Sequence, residues 1–140
     1  MGLRLPIGDV TVLLGPALAR LRVMAQLDES SGRASGRACV GVQRLVAGPE
    51  DTVADRLEAL ASAARGDAAI VLVDRFTDGL AAHERASLLR RLHAVADGRA
   101  VLVNDRDPVA ALAAADGALR VDRSGGLSYE PVAELDYLAS

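Results

Sequence analysis

The chain has 140 residues, about the length of a single domain, and 51% of its residues are hydrophobic while 25% are charged. This balance excludes an intrinsically disordered chain. The net charge of −3 and the aromatic content of 2% argue against a nucleic-acid-binding protein, because such proteins need a positive face and aromatic side chains on which bases can stack.

All 16 cationic residues are arginines. Schiff-base chemistry on a lysine is therefore excluded, and so is a phosphate loop that depends on a lysine ammonium. Cys39 is the only cysteine, so the chain cannot form an internal disulfide. No apolar run reaches the length of a membrane span, so we expect no direct membrane insertion and a cytoplasmic location.

Strand and helix patterns alternate from the first residues onward. Residues 9–14 predict a strand, and residues 16–27 predict a helix with Pro16 in its first turn. Residues 29–37 have the composition of a loop, and residues 38–43 predict the next strand.

The second half of the chain continues this alternation. Residues 48–66 predict a turn and then a helix, which Asp51 or Thr52 caps and Gly66 follows. Residues 68–73 form an uninterrupted apolar run, typical of a strand covered on both faces. The remaining predicted elements are a helix at residues 81–97 with Ala82, Ala86, Leu89, Leu92 and Ala96 on one face, strands at residues 100–104 and 117–121, a short helix at residues 107–116 capped by Asp107, a turn at residues 124–126 and a terminal helix at residues 131–139.

Buried strands that alternate with helices predict an α/β fold. The expected architecture is a mostly parallel sheet with helices on both faces, in a single domain that spans residues 1–140.

Four stretches of the chain resemble, in order and spacing, the ATPase domain of ABC transporters. "IGDVTVLLGP" looks like the strand before the phosphate loop, and "ESSGRASGRACVGVQRLVAGPEDTVADRL" is similar to the stretch that runs to the Q-loop, with Gln43 in the place of its glutamine. "ALASAARGDAAIVLVDRFTDGL" resembles the helix after the signature motif, the Walker B strand and the D-loop. "GRAVLVNDRDPVAALAAADGALRVDRSGG" is similar to the final strand, the switch region and the closing strands.

The resemblance implies a P-loop-NTPase-like sheet that lacks most of two family subdomains. Little more than 30 residues separate Gly15 from residues 50–54, where the signature motif would lie, so most of the helical subdomain is expected to be missing. Met1 lies just before the first strand, so the N-terminal β subdomain is expected to be missing as well.

The chain departs from the family's nucleotide-binding motifs at nearly every position. A working phosphate loop needs G-x-x-x-x-G-K-[ST], whereas the aligned stretch is "GPALARLRV". Asp74 matches the Walker B aspartate that supports Mg²⁺, but Arg75 stands in place of the catalytic glutamate, and "EDTVA" replaces the signature motif. The vestigial nucleotide-site positions implied by the resemblance are Gly15, Arg20, Leu21, Arg22, Gln43, Asp74, Arg75 and Arg106, the last in place of the switch histidine.

These departures predict a protein that neither binds a cofactor or metal nor hydrolyses ATP. The expected function is that of an interaction or regulatory subunit whose partner is an ABC-type ATPase, a transporter's membrane subunit or a second copy of the chain. A membrane subunit as partner would place the protein at the membrane periphery. Two alternatives stay open: a nucleotide-binding protein with an arginine-based phosphate site, and a module that binds a small ligand or metal at the carboxyl edge of the sheet.

Simpler roles are also open for several of these residues. Asp74 fits a turn or cap residue, and Gln43 fits a solvated polar residue at a strand end. Asp105 and Asp107 fit local capping and ion pairing.

Overall fold

A computed structural model of the chain describes residues 5–30 and 41–132, which form one six-stranded sheet. The strand order is β2-β3-β4-β1-β5-β6, and every pairing is parallel except that of the last two strands. The prediction of a mostly parallel α/β fold is therefore confirmed. The strands are β1 (Val10–Leu14), β2 (Val42–Val46), β3 (Ile70–Asp74), β4 (Ala100–Asn104), β5 (Gly117–Val121) and β6 (Leu127–Pro131).

Helices cover both faces of this sheet, as expected. They are α1 (Ala17–Ser30), α2 (Val53–Arg65), α3 (Ala82–Arg90), α4 (Leu92–Val95) and α5 (Pro108–Ala113). Because side chains alternate along a strand, Val101 and Val103 of β4 pack with α2, α3, α4 and α5, while Leu102 packs with α1 on the other face. Among the described residues, α1 is the only helix on its face.

The predicted caps of α2 and α5 are confirmed. Thr52 accepts a hydrogen bond from the Asp55 amide at 3.1 Å, and the Asp55 carboxylate accepts one from the Thr52 amide at 2.9 Å, which forms a capping box. Gly66 is the C-cap of α2. Asp107 caps α5 through the Ala110 amide, and Pro108 occupies the first turn.

The predicted helix at residues 81–97 is wrong in its extent. Arg91 interrupts it, because the Arg91 amide bonds the Leu88 carbonyl at 3.1 Å, three residues back, and thereby tightens the turn. Ala82 and Ala86 are exposed, contrary to the predicted apolar face. The buried residues of this region are Leu88, Leu89, Leu92, Val95 and Ala96.

Two boundary predictions around β2 are also wrong. Helix α1 extends to Ser30, into the predicted loop, and the rest of that loop lies outside the described residues together with Cys39. The strand begins at Val42 and runs to Val46 rather than ending at residue 43. β2 is an edge strand and is half exposed, so buried and exposed residues alternate along it: Leu45 is buried between exposed Arg44 and Val46. This part of the strand therefore lacks the continuous apolar run of a strand covered on both faces.

The end of the described chain contains a strand that the sequence patterns did not predict. β6 pairs antiparallel with β5, and Pro131, the predicted start of a helix, is the last residue of β6. The turn before it is confirmed, since the Asp122 carboxylate accepts bonds from the Ser124 and Gly126 amides at 2.9 and 2.8 Å. The predicted terminal helix lies outside the described residues beyond residue 132.

Tyr129 of β6 packs over Gly117 of β5 in this hairpin. A Cβ atom added to Gly117 would lie 2.5 Å from Cζ of the tyrosine ring, so only a glycine leaves room for the ring. Partial burial raises the pKa of the Tyr129 phenol, and the negative charges of Asp9 and Asp116 raise this pKa further.

We therefore expect Tyr129 to ionise above the ordinary tyrosine pKa of 10.0. The fold favours the neutral phenol, so this stabilisation is present below pH 10.0 and is lost as the pH rises through the pKa of the folded state. Tyr129 and Tyr137 are the two tyrosines of the chain, so phenolate absorbance of a Tyr137→Phe variant reports the ionisation of Tyr129 alone. Adding Asp9→Asn to that variant should lower the pKa of Tyr129. A titration at the ordinary value in both proteins would contradict the burial argument.

Candidate functional site

The carboxyl edge of the sheet has a crevice between β1 and β4. The connection that leaves β1 crosses one face through α1 to β2, whereas the connection that leaves β4 crosses the other face through α5 to β5. Neighbouring strands whose connections run in opposite directions form a topological switch point, and open α/β sheets usually bind ligands there. The residues at this edge are therefore the candidate site.

The Arg20 side chain bridges this crevice. Its Nε donates to the Gly15 carbonyl at 3.0 Å, and its NH1 donates to Asn104 Oδ1 at 2.6 Å. A longer contact of 3.4 Å joins the same nitrogen to the Asp105 carbonyl. One guanidinium thus joins the end of β1 to the end of β4.

Asp74, at the end of β3, is tied into the same arrangement. Its side chain is only 2% exposed, and its Oδ1 accepts a hydrogen bond from Asn104 Nδ2 at 3.0 Å. Its Oδ2 accepts two bonds from Arg44, from Nε at 3.2 Å and from NH2 at 2.6 Å. We call the chain of contacts Arg44–Asp74–Asn104–Arg20 the edge network.

The edge network gives the buried carboxylate of Asp74 its hydrogen-bond partners from within the protein. A buried charge is costly unless it is paired and hydrogen-bonded, and charge-assisted bonds to arginine meet both conditions. Two oxygens of Asp74 together accept three bonds from Arg44 and Asn104. These bonds take up three of the roughly four lone-pair sites of that carboxylate, which leaves little capacity for a metal ion or a bound water.

Arg75 follows Asp74 in a conformation unusual for a residue other than glycine. Its φ is 50°, in the left-handed region, and its amide donates to the Asn104 carbonyl at 2.7 Å, which holds the turn in place. The side chain is 53% exposed and its Nε lies 3.9 Å from Asp74 Oδ1. A guanidinium cannot accept a proton at physiological pH, so Arg75 cannot serve as a general base.

Asp105 and Asp107 act as the local caps and ion-pair partners that the sequence suggested. Buried Asp105 accepts a bond from Thr77 Oγ1 at 2.7 Å and one from the Asp107 amide at 2.9 Å. Asp107 lies 3.4 Å from Arg85. These contacts fix the loop after β4 against the loop after β3.

Only some of the positions implied by the resemblance meet at this edge. Gly15, Arg20 and Asp74 belong to it directly, and Arg75 borders it. The positions that do not join the network are Leu21 and Arg22, exposed on α1, Arg106, exposed on the loop after β4, and Gln43. Gln43 is not at a strand end, because it pairs with Val71 while Val46 pairs with Asp74 at the edge.

The sequence patterns missed Arg44, Asn104 and Thr77 as members of the site. Asn104 ends a strong strand pattern, so its position at the edge was readable from the sequence. Arg44 was not, because its reach to Asp74 depends on the register in which β2 pairs with β3.

The side chains at this edge do not fit Mg-ATP in the pose that the resemblance implies. Only Gly15 and Pro16 separate β1 from α1, too few residues to curl successive amides around a phosphate. Gly15, with φ of 135°, lies so close to β5 that an added Cβ would clash with the Val121 carbonyl and lie 2.8 Å from its Cγ1. The glycine is thus required by strand packing.

Two further features bear on ligands and location. Within residues 5–30 and 41–132, no group of three or more His, Cys, Asp or Glu side chains is placed to hold a metal ion. None of the helices in that part of the chain has both the length and the apolar character that a bilayer crossing requires.

Comparison with known proteins identifies the fold. No family model matches the chain, and no curated protein matches it in sequence. Among solved structures, it resembles CbiO1 of Clostridium perfringens, described as part of the ABC transporter complex CbiONQ, with a TM-score of 0.62 at 10% identity over 98% of this chain and 82% of that one. An ATP-binding subunit of an ABC transporter matches with a TM-score of 0.57 at 12% identity over 94% of this chain and 82% of that one. The chain therefore has the fold of the ATP-binding subunit of an ABC transporter.

Proposed function

We propose that this protein is a catalytically inactive relative of ABC-type ATPases that acts as an interaction or regulatory subunit. The edge network is the observation that carries this proposal. Arg20 occupies the crevice where a ligand of this fold would lie, and Arg44 and Asn104 occupy the carboxylate of Asp74. These contacts within the chain support the proposed loss of both a phosphate cradle and a Mg²⁺ support.

Nucleotide binding is the first test. A ligand at a hundredfold excess over its Kd stabilises a protein by about 2.7 kcal/mol, so binding would be evident in thermal unfolding with Mg-ATP or Mg-ADP. We expect no stabilisation and no phosphate release from ATP with the wild-type chain.

Two variants separate the outcomes of this test. Arg20→Leu removes the side chain that bridges the crevice, whereas Arg22→Leu removes an exposed arginine from the same helix and serves as the matched control. Stabilisation of the wild-type protein that Arg20→Leu abolishes and Arg22→Leu retains would establish the alternative function, an arginine-based nucleotide site. Stabilisation that survives both changes, or measurable hydrolysis, would also refute the proposal of an inactive protein.

The outer side of α1 supports the interaction part of the proposal. Leu18 is 69% exposed and Leu21 is 52% exposed, and exposed Ala25 follows at helical spacing. The opposite side of the helix buries Val23 and Met24 against the sheet. A helix that is apolar on both sides is typically covered on both sides, so we assign the outer apolar stripe of Leu18, Leu21 and Ala25 to a protein partner.

The fold similarity indicates which partners to test. CbiO1 is described as part of a transporter complex, so the partners to co-express are ATP-binding and membrane subunits of ABC transporters from the same cell. Association of the chain with itself is tested in a third experiment. In one of the three experiments we expect a stoichiometric complex, detected by light scattering after gel filtration.

A variant pair tests the surface itself. Leu18→Glu combined with Leu21→Glu should weaken that complex by at least about tenfold, which corresponds to roughly 1.4 kcal/mol. Arg90→Glu, an exposed change on α3 and thus on the other face of the sheet, should leave it intact. If both variants bind the partner with equal affinity, the stripe is not part of the interface. If no complex forms in any of the three experiments, the interaction role is refuted.

A further inference from the structure

A cavity of about 400 Å³ lies beside the edge network, between the loop after β2 and the loop after β3. Its volume is in the lower part of the range for ligand pockets, roughly 300–1,000 Å³. Val46, Ala47 and Pro49 give one wall an apolar surface, and the loop after β3 supplies Arg75 and Asp78 to the other. An apolar cavity with a few polar groups is the usual form of a small-ligand site.

The two charged side chains of this cavity are of opposite sign, yet no ion pair joins them within the described residues. The Arg75 guanidinium donates no side-chain hydrogen bond in that part of the chain, and its nearest carboxylate is Asp74 at 3.9 Å. Arg75 and Asp78 both line the cavity, and Oδ1 of Asp78 is closed to water, so a ligand would meet the other oxygen of that carboxylate. The lining therefore has one cationic and one anionic residue that do not neutralise each other.

The backbone holds Arg75 at this position despite an unfavourable conformation. Residues other than glycine rarely adopt its φ of 50°, and such outliers cluster at functional sites. The Asp78 amide bonds the Arg75 carbonyl at 3.4 Å, so a single turn presents both charges to the same cavity.

We propose that this cavity binds a small zwitterion of the aliphatic amino-acid class. The ligand's carboxylate pairs with Arg75, its ammonium pairs with Asp78, and its aliphatic body lies on Val46, Ala47 and Pro49. A ligand with a single charge leaves one of the two protein groups unpaired. The cavity is not the crevice in which Arg20 lies, although Arg75 borders both.

Three probes of matched shape test this proposal by NMR titration of the isotope-labelled chain. L-Leucine carries both charges, isocaproate lacks the ammonium and isopentylamine lacks the carboxylate. We expect leucine to shift the amide resonances of the loops around Ala47 and Gly79, with a Kd at least about tenfold below that of either analogue. No response to leucine, or equal affinity for isocaproate, would overturn the proposal, the latter in favour of a simple anion site.

Variants locate the binding on these two side chains. Arg75→Gly removes the cation and keeps the fold, since glycine adopts a positive φ readily. It should weaken leucine binding at least about tenfold, and Asp78→Asn should do so too while leaving isocaproate unaffected. Arg106→Gln, which changes an exposed arginine on the neighbouring loop, is the matched control and should bind leucine as the wild type does. Leucine binding that survives Arg75→Gly would place the ligand elsewhere and refute the assignment.

Discussion

Replacement of Gly15 by alanine should destabilise the protein by roughly 3 kcal/mol or more, because it combines backbone strain with overpacking. The φ of Gly15 is 135°, a conformation that residues with a side chain rarely adopt. The added methyl group would also meet the Val121 carbonyl, a backbone atom of β5 that cannot move without disturbing the strand pairing. Urea denaturation of the two proteins measures the difference.

Gly98→Ala is the matched control for this prediction. Gly98 also has a positive φ, of 80°, but an added Cβ there would meet nothing within 4 Å. Its cost should be confined to strain, about 1–2 kcal/mol. If the two substitutions cost the same, the close approach of β1 and β5 does not explain why residue 15 is glycine.

Replacement of Arg99 by methionine should destabilise the protein by about 3 kcal/mol, because it removes four charge-assisted hydrogen bonds, two of which are fully buried. The Arg99 guanidinium is buried and donates to the carbonyls of Ala63, Gly66, Val95 and Ala68, at 2.9, 2.8, 3.1 and 3.2 Å. Three of these carbonyls lie at the C-terminal ends of α2 and α4, where carbonyls lack the regular helical bond, although the Ala63 carbonyl also accepts a bond from the Gly66 amide at 3.1 Å. Methionine preserves much of the side-chain length and volume but donates nothing.

Arg65→Met tests whether any arginine would give the same result. The Arg65 side chain is 66% exposed, and its one ion pair within the described residues is with Glu58, at 3.3 Å. Exposed ion pairs contribute little, so this variant should change the free energy of unfolding by less than about 0.5 kcal/mol. Arg99→Lys should lower the free energy of unfolding by an amount between those of Arg99→Met and Arg65→Met, because lysine keeps the charge but cannot reach all four carbonyls. Similar unfolding midpoints for the Arg99 and Arg65 variants would contradict the argument.

Local patterns predicted the central part of the fold well. The apolar runs of β3 and β4 are covered on both faces, so composition alone identifies them as strands. Thr52 and Asp107 cap helices through bonds that span three residues, and such short-range chemistry is visible in the sequence. The edge strands β2 and β6 are half exposed, and their boundaries or existence were missed for that reason.

The candidate site was less predictable because its contacts are long-range. The resemblance drew attention to Arg20 and Asp74, but the side chains that join them, Asn104 and Arg44, lie many residues away in the chain. Their convergence depends on which strands are neighbours and in which register they pair. Arg99 has the same character, since nothing near it in the sequence indicates that it will be buried among carbonyl groups.

The central place of β1 in the sheet has a consequence for synthesis of the protein. β1 leaves the ribosome first among the strands, yet its two neighbours are β4, where Val10 pairs with Val101, and β5, where Leu14 pairs with Arg120. At elongation rates of about 5–20 residues per second, the nascent chain carries its most apolar early segment unpaired for several seconds. Only after residue 121 has left the ribosome can β1 pair with both of its neighbours. We therefore expect chaperones to bind the nascent chain mainly before that point.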